Sequence, residues 1–149
     1  MGKVLVLGAG VMGSALAIYL GNKGQDVNIW GTEWDDGLIK EMKESRRNSQ
    51  HKMDLPDSIS LYYSQELDKA FRDVELVLIA VISKGMKSIS EKIAPYLNED
   101  HKILSITKGI DEDSLTTMST IIERSIPDKL KGSIGIIKLG GPIIAGELA

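Results

Sequence analysis

The chain of 149 residues contains no cysteine. That absence excludes disulfides, thiol nucleophiles and cysteine-ligated zinc. Histidine is scarce as well. His51 and His101 stand far apart and without carboxylates at ligand spacing, so a metal site is not expected. With no histidine near Ser105 or Thr107, the sequence supports no hydrolase triad. The N-terminal apolar run Lys3-Val4-Leu5-Val6-Leu7 is too short for a membrane span and ends in a glycine turn rather than a small-residue cleavage site. Val6 stands where a myristoylation signal needs Ser or Thr. A long basic stretch is missing too. The cluster at residues 43–47 is interrupted by Glu44 and Ser45, and the net charge is −3, which argues against a nucleic-acid partner. No membrane association is expected, and a cytosolic location is the default.

What is present is ordinary globular composition, 42% hydrophobic and 26% charged, in a length that fits one domain with a sizeable core. The most informative stretch is Gly8-Ala9-Gly10-Val11-Met12-Gly13. It follows a predicted buried strand and precedes a predicted helix, which together make a dinucleotide-binding fingerprint. Gly8 permits a tight turn, Gly10 lets a pyrophosphate approach the backbone, and Gly13 lets the helix pack closely on the strand. The helix N-terminus offers free N–H groups and a partial positive charge to the phosphates.

Along the chain, the pattern predicts a first helix over residues 11–23 with Gly24 as its left-handed terminator. A second strand follows at residues 26–30 and stops at Gly31. An acidic residue is expected about 20 residues beyond the glycines, where it meets the adenosine ribose. Glu33 lies there. Its carboxylate would accept from a ribose hydroxyl and repel a 2′-phosphate, favouring NAD over NADP. Asp35 and Asp36 are close by, and the alternative is that all three acids charge the first turn of the next helix. Further predicted elements are a helix over 38–46, a loop over 48–57, a strand at 58–63 and a short helix capped by Ser64. A central strand at 76–82 and an amphipathic helix at 84–97, broken near Pro95, come next. The remaining elements are a strand at 102–107, a helix capped by Asp113 or Ser114, a strand at 133–139 and a helix opened by Pro142. Strands alternating with helices predict an α/β fold of Rossmann type, a doubly wound parallel sheet of order 3-2-1-4-5-6 with helices on both faces. The whole chain, 1–149, reads as one dinucleotide-binding domain, and its ending looks like a cut domain.

Ligands of such sheets bind at the carboxyl ends of the strands. The only cation directly at the end of a central strand is Lys108. It is either a solvated lysine or a donor to a substrate carbonyl beside the nicotinamide.

The sequence resembles the NAD(P)-dependent glycerol-3-phosphate dehydrogenases. The matching pieces run in order from Gly8-Ala9-Gly10 and Gly13-Ser14-Ala15-Leu16-Ala17, through residues 27–30, Asn48 with Leu55-Pro56, and Val81 with Ser83. They end with Thr107-Lys108-Gly109-Ile110 and Gly141-Pro142-x-x-Ala145-x-Glu147, so they span nearly the whole chain. The resemblance implies reversible hydride transfer between NAD(P)H and dihydroxyacetone phosphate, giving sn-glycerol 3-phosphate, as in glycerophospholipid biosynthesis. NAD is the preferred cofactor, with NADP tolerated. By the same resemblance, Gly8, Ala9, Gly10, Val11, Met12 and Gly13 bind the pyrophosphate, and Thr32 lies near the adenosine. Lys108 touches substrate and cofactor. Gly141 and Ile143 border the substrate, and Ala145 borders the cofactor.

Three positions depart from the family pattern: Ile82 where many members have proline, Gly140 in place of serine, and Ile143 where some carry a hydroxyl. Members continue into a helical domain that supplies a second lysine and the phosphate-binding residues, and the full-length protein is compatible with a homodimer. The chain alone is expected to bind dinucleotide without completing the reaction. The alternatives are a stand-alone nucleotide-binding or regulatory module, or a related two-domain reductase of another 2-oxo or 3-hydroxy compound.

Overall fold

A computed structural model describes residues 2–141 and 144–148. The elements in chain order are β1 (Lys3–Leu7), α1 (Val11–Asn22), β2 (Val27–Trp30), α2 (Asp36–Ser45), β3 (Arg47–Asn48), β4 (Met53–Asp54) and β5 (Ile59–Tyr62). They continue with α3 (Leu67–Ala70), β6 (Val74–Ile79), α4 (Met86–Ile93), β7 (Lys102–Ser105), α5 (Met118–Ser125), β8 (Gly135–Lys138) and α6 (Ala145–Leu148).

Six strands form one sheet in the order β5-β2-β1-β6-β7-β8, all parallel. Counting only these six, the order is the expected 3-2-1-4-5-6. Successive side chains of a strand face opposite sides of a sheet. Accordingly Val4 and Val6 join α1 and α2 in one apolar core, with Leu16, Ile18, Ile39 and Met42. Leu5 and Leu7 join α3, α4 and α5 in the other, with Leu67, Met86, Ile93, Met118 and Ile122. A strand covered on both faces must be apolar throughout, which is why β1 reads as a continuous hydrophobic run.

At the carboxyl edge, the first residue beyond each of five strands donates its N–H to the last carbonyl of the neighbouring strand. Gly31 bonds Tyr62 at 3.0 Å, Gly8 bonds Trp30 at 2.9 Å, and Ala80 bonds Leu7 at 2.9 Å. Ile106 bonds Ile79 at 3.1 Å and Leu139 bonds Ser105 at 2.9 Å. This row forms the floor of the cleft in which the site lies.

Several elements differ from the sequence-based expectation. Gly24 (φ +81°) does end α1 in the left-handed region. The bonds Gln25 N–H to Leu20 O (3.1 Å) and Gly24 N–H to Gly21 O (2.9 Å) satisfy the last carbonyls of that helix. The expected loop over 48–57 instead holds the small antiparallel pair β3–β4. Ser64 does not cap a helix. Its N–H and hydroxyl both donate to Asp36, each at 2.8 Å, fastening the start of α2 to the segment after β5. Neither Asp113 nor Ser114 caps α5. Asp111 accepts from the Ser114 N–H (2.8 Å) and hydroxyl (2.6 Å) and closes its own turn, and Thr117 caps the helix by accepting from the Thr120 N–H at 3.3 Å. Finally, β6 occupies 74–79, so Ala80, Val81 and Ile82 leave the sheet.

Candidate dinucleotide cleft

The glycine turn sits between β1 and α1, and its three glycines face three different surroundings. Gly8 adopts φ +103°, and a Cβ there would lie 2.9 Å from Ala80 O. A Cβ on Gly13 would lie 2.0 Å from Gly8 O, so the helix rests directly against the turn. A Cβ on Gly10 would meet nothing within 4 Å. The open position is the one a ligand would need, and it lies at the N-terminus of α1, where the first N–H groups lack partners within the helix. Sterics therefore separate two structural glycines from one that faces open space. Ser14 adds a bond from its hydroxyl to Ala9 O at 2.7 Å.

Beside the turn is a cavity of about 490 Å³ lined by Gly8, Gly10, residues 32–35 and residues 80–82, with Lys84, Gly85, Ser88 and Ile89. The loop after β2 forms one wall and the loop after β6 the other. The three acids of the first wall have separate roles. Asp36 serves α2 and Ser64. Asp35 accepts from the Thr32 N–H (2.9 Å) and hydroxyl (2.8 Å) and from the Ala9 N–H (3.3 Å). Glu33 lines the cavity as Asp35 does, but its partner comes from α4. The Lys92 ammonium donates to Glu33 Oε1, and this bond holds the carboxyl below the ordinary carboxylate range. Lys92 also lies 5.4 Å from the centre of the Trp30 ring.

A model of the family described as NAD-dependent glycerol-3-phosphate dehydrogenase N-terminus matches residues 3–149. The chain belongs to that family. It is 32% identical over 151 residues to a glycerol-3-phosphate dehydrogenase [NAD(P)+] of Clostridium perfringens, covering 100% of this chain and 43% of the relative. It is 34% identical over 148 residues to an NADP(+)-dependent glycerol-3-phosphate dehydrogenase of Archaeoglobus fulgidus, covering 98% of this chain and 43% of that one. The crystal structure of glycerol-3-phosphate dehydrogenase from Coxiella burnetii superposes with a TM-score of 0.86 at 25% identity, over 99% of this chain and 43% of the other. The chain thus spans less than half the length of these dehydrogenases.

Lys108, singled out in the sequence as matching the dehydrogenase pattern, is exposed and does not line the 490 Å³ cavity. The residues on either side of it are placed against the loop after β6. Thr107 donates from its hydroxyl to Val81 O at 2.7 Å, tying the loop after β7 to the cavity wall after β6. Gly109 then turns at φ +106° against Ser83, with the site of a Cβ 3.9 Å from Ser83 Cβ. No carboxylate pairs with Lys108 among the described residues. Gly141 is exposed at φ +115°. Ala145 is buried at the start of α6, which packs on α1. Ile143 and Pro142 lie outside the described residues. Gly8 and Gly10 of the turn therefore gather with Thr32 and Glu33 at one cavity, while Lys108 stands outside it, next to the Thr107–Val81 bond.

Sequence reasoning passed over Asp35 as the tie between the two loops. The signal was available, because Thr32-x-x-Asp35 has the spacing of a reciprocal cap. It also missed Lys92, which is 59 positions from Glu33 and carries no local signature. The sequence assigns His51 no role beyond arguing against a metal site. It stands at the tip of the β3–β4 hairpin with Nε2 2.7 Å from Val11 O, and so braces the first turn of α1. Among the described residues there is no group of three or more His, Asp or Glu able to hold a metal, and no helix long and apolar enough to cross a membrane.

Proposed function

We propose that residues 1–149 are the dinucleotide-binding half of a glycerol-3-phosphate dehydrogenase. Its reaction moves hydride between NAD(P)H and dihydroxyacetone phosphate, giving sn-glycerol 3-phosphate, in the cytoplasm. The observation that carries this reading is the open Gly10 position at the α1 N-terminus, in a chain that matches the family over residues 3–149. A pyrophosphate fits there because the site supplies backbone donors, a helix dipole and no obstructing Cβ.

In this reading residues 8–13 hold the pyrophosphate, and Thr32 and Glu33 hold the adenosine ribose. Glu33 stays ionised against Lys92 and repels a 2′-phosphate, so NAD is preferred although one relative is named NADP-dependent. The bound nicotinamide supplies the hydride. Lys108 stabilises the carbonyl oxygen as it gains negative charge, Gly141 and Ile143 border the substrate, and Ala145 borders the cofactor. The proton donor and the phosphate-binding groups lie outside these residues.

The test is calorimetric titration with NADH and NADPH, followed by an assay for dihydroxyacetone phosphate reduction. Binding of NADH in preference to NADPH, without turnover, is the expected result. Failure to bind either dinucleotide overturns the assignment. Turnover at rates ordinary for a dehydrogenase overturns the placement of the proton donor outside the chain.

A further inference from the structure

The cavity has a feature that a pyrophosphate does not require. Trp34 is 95% exposed, whereas Trp30, the other tryptophan, is fully buried. An indole left in water forgoes the burial that normally stabilises it, and exposed aromatic surface at the rim of a cleft marks a contact surface. Trp34 lines the same cavity as Gly8 and Gly10. So does Ile82, which is 75% exposed. The two come from opposite sides of the glycine turn, because β2 and β6 flank β1 in the sheet. Of the acids lining the cavity beside Trp34, Glu33 is engaged by Lys92 and Asp35 by Thr32 and Ala9, and Lys84 is the cation of the same lining. Ile82 departs from the family pattern, and it places a branched apolar side chain opposite the indole side of the cleft.

A group suited to this pair is flat, apolar on its faces and attached to a ribose next to Glu33. Resting on the dinucleotide reading above, we propose that Trp34 is the stacking platform of the adenine ring, with Ile82 closing the slot from the other wall. Trp34 directly follows Glu33, so the ribose contact and the ring contact are consecutive in the chain. Stacking on an indole is tolerant of what lies on the ring edge, so Trp34 adds affinity for the adenine half while Glu33 selects on the ribose.

The experiment uses the exposed indole as its own probe. Tryptophan emission is followed during titration with AMP, ADP-ribose and nicotinamide mononucleotide, and NADH affinity is measured by calorimetry for the wild type, Trp34→Ala and Trp34→Phe. AMP and ADP-ribose are expected to quench the emission, and nicotinamide mononucleotide to leave it unchanged. Trp34→Ala should weaken NADH and AMP binding on the order of tenfold, and Trp34→Phe should restore most of the affinity while abolishing the quenching. Both variants should keep the wild-type circular dichroism and thermal midpoint, since the side chain is exposed. Unchanged NADH affinity in Trp34→Ala, with no quenching by AMP in the wild type, overturns the proposal and leaves the dinucleotide site standing. Absence of NADH binding in the wild type overturns the underlying reading instead.

Discussion

One oxygen of Asp35 accepts the N–H of Ala9 across 3.3 Å, and the same oxygen accepts both donors of Thr32. A single carboxylate thereby fixes the glycine turn relative to the loop after β2. Hydrogen bonds to a charged group contribute about 1.5–3 kcal/mol, and a part-buried donor left without its acceptor carries a further cost. Asp35→Ala is expected to lower unfolding free energy by about 2 kcal/mol in urea titrations. It should also weaken NADH binding, because the pyrophosphate and ribose contacts lose their common reference. Asp35→Asn keeps one acceptor and should fall between the two.

The glycines separate stability from binding. Gly13→Ala places a Cβ about where Gly8 O already stands, 2.0 Å away, and should destabilise the chain by several kcal/mol. Gly10→Ala meets nothing within 4 Å and should change stability by no more than about 0.5 kcal/mol, yet it should abolish tight NADH binding. Thermal melts and NADH titrations of the two variants check both halves. A Gly10→Ala protein that binds normally would remove the pyrophosphate from that position.

Glu33 sets the cofactor preference in the proposed reading, and Lys92 keeps its carboxyl below the ordinary range. The charge that repels a 2′-phosphate is therefore present at every pH above about 4.5. Glu33 adds no step of its own to the ratio of NADH to NADPH affinity above about pH 5, and between about pH 7 and pH 8, where the 2′-phosphate with its second pKa of about 6 is also ionised, the ratio should stay flat. Glu33→Gln should lower that ratio, chiefly by improving NADPH binding. Direct titrations with the two dinucleotides measure it.

Two groups give stability distinct pH windows. Burial lowers the His101 pKa, and the ring accepts the Asn98 N–H at Nδ1 (2.9 Å), which only the unprotonated nitrogen can do. The unfolded chain binds the proton more readily, so this contribution is complete above about pH 6.5 and is lost as pH falls below it. Glu66 behaves at lower pH. Lys69, and then the Tyr63 N–H, push its carboxyl down to about 2. Its contribution is present above the unfolded carboxylate value and is lost as pH falls from about 4.5 toward the folded value. Urea midpoints at a series of pH values should show both steps. His101→Asn should remove the first step, and Glu66→Gln the second.

The sheet order was legible because β and α segments alternate and each central strand is apolar throughout. The glycine turn was legible because each glycine answers a separate steric demand. The boundary of β6 was not. Ala80, Val81 and Ile82 continue the apolar run of the strand, but Val81 and Ile82 are apolar as cleft wall, and hydropathy alone does not distinguish the two uses. Ser64, Asp113 and Ser114 differ from expectation for a related reason. Each looks locally like a cap, but Ser64 bonds Asp36, 28 positions away, and Ser114 donates to Asp111 in a turn ahead of α5, which Thr117 caps. The same holds at the site. Glu33 and the glycines follow from spacing within one βαβ unit and Thr32 from the family resemblance, whereas the Glu33–Lys92 pair and the Thr107–Val81 bond exist only once distant strands are neighbours.

The row of backbone bonds along the carboxyl edge gives the cleft a chemical polarity. The last carbonyls of β5, β2, β1, β6 and β7 each already accept an N–H from the next strand's exit residue. Those oxygens are turned sideways into the sheet and present little electron-rich surface to a guest above them. The floor is thus electrostatically quiet beneath the start of α1, where the first N–H groups lack partners within the helix. An anion entering this cleft is drawn to that point by contrast with its surroundings, before any side chain contributes.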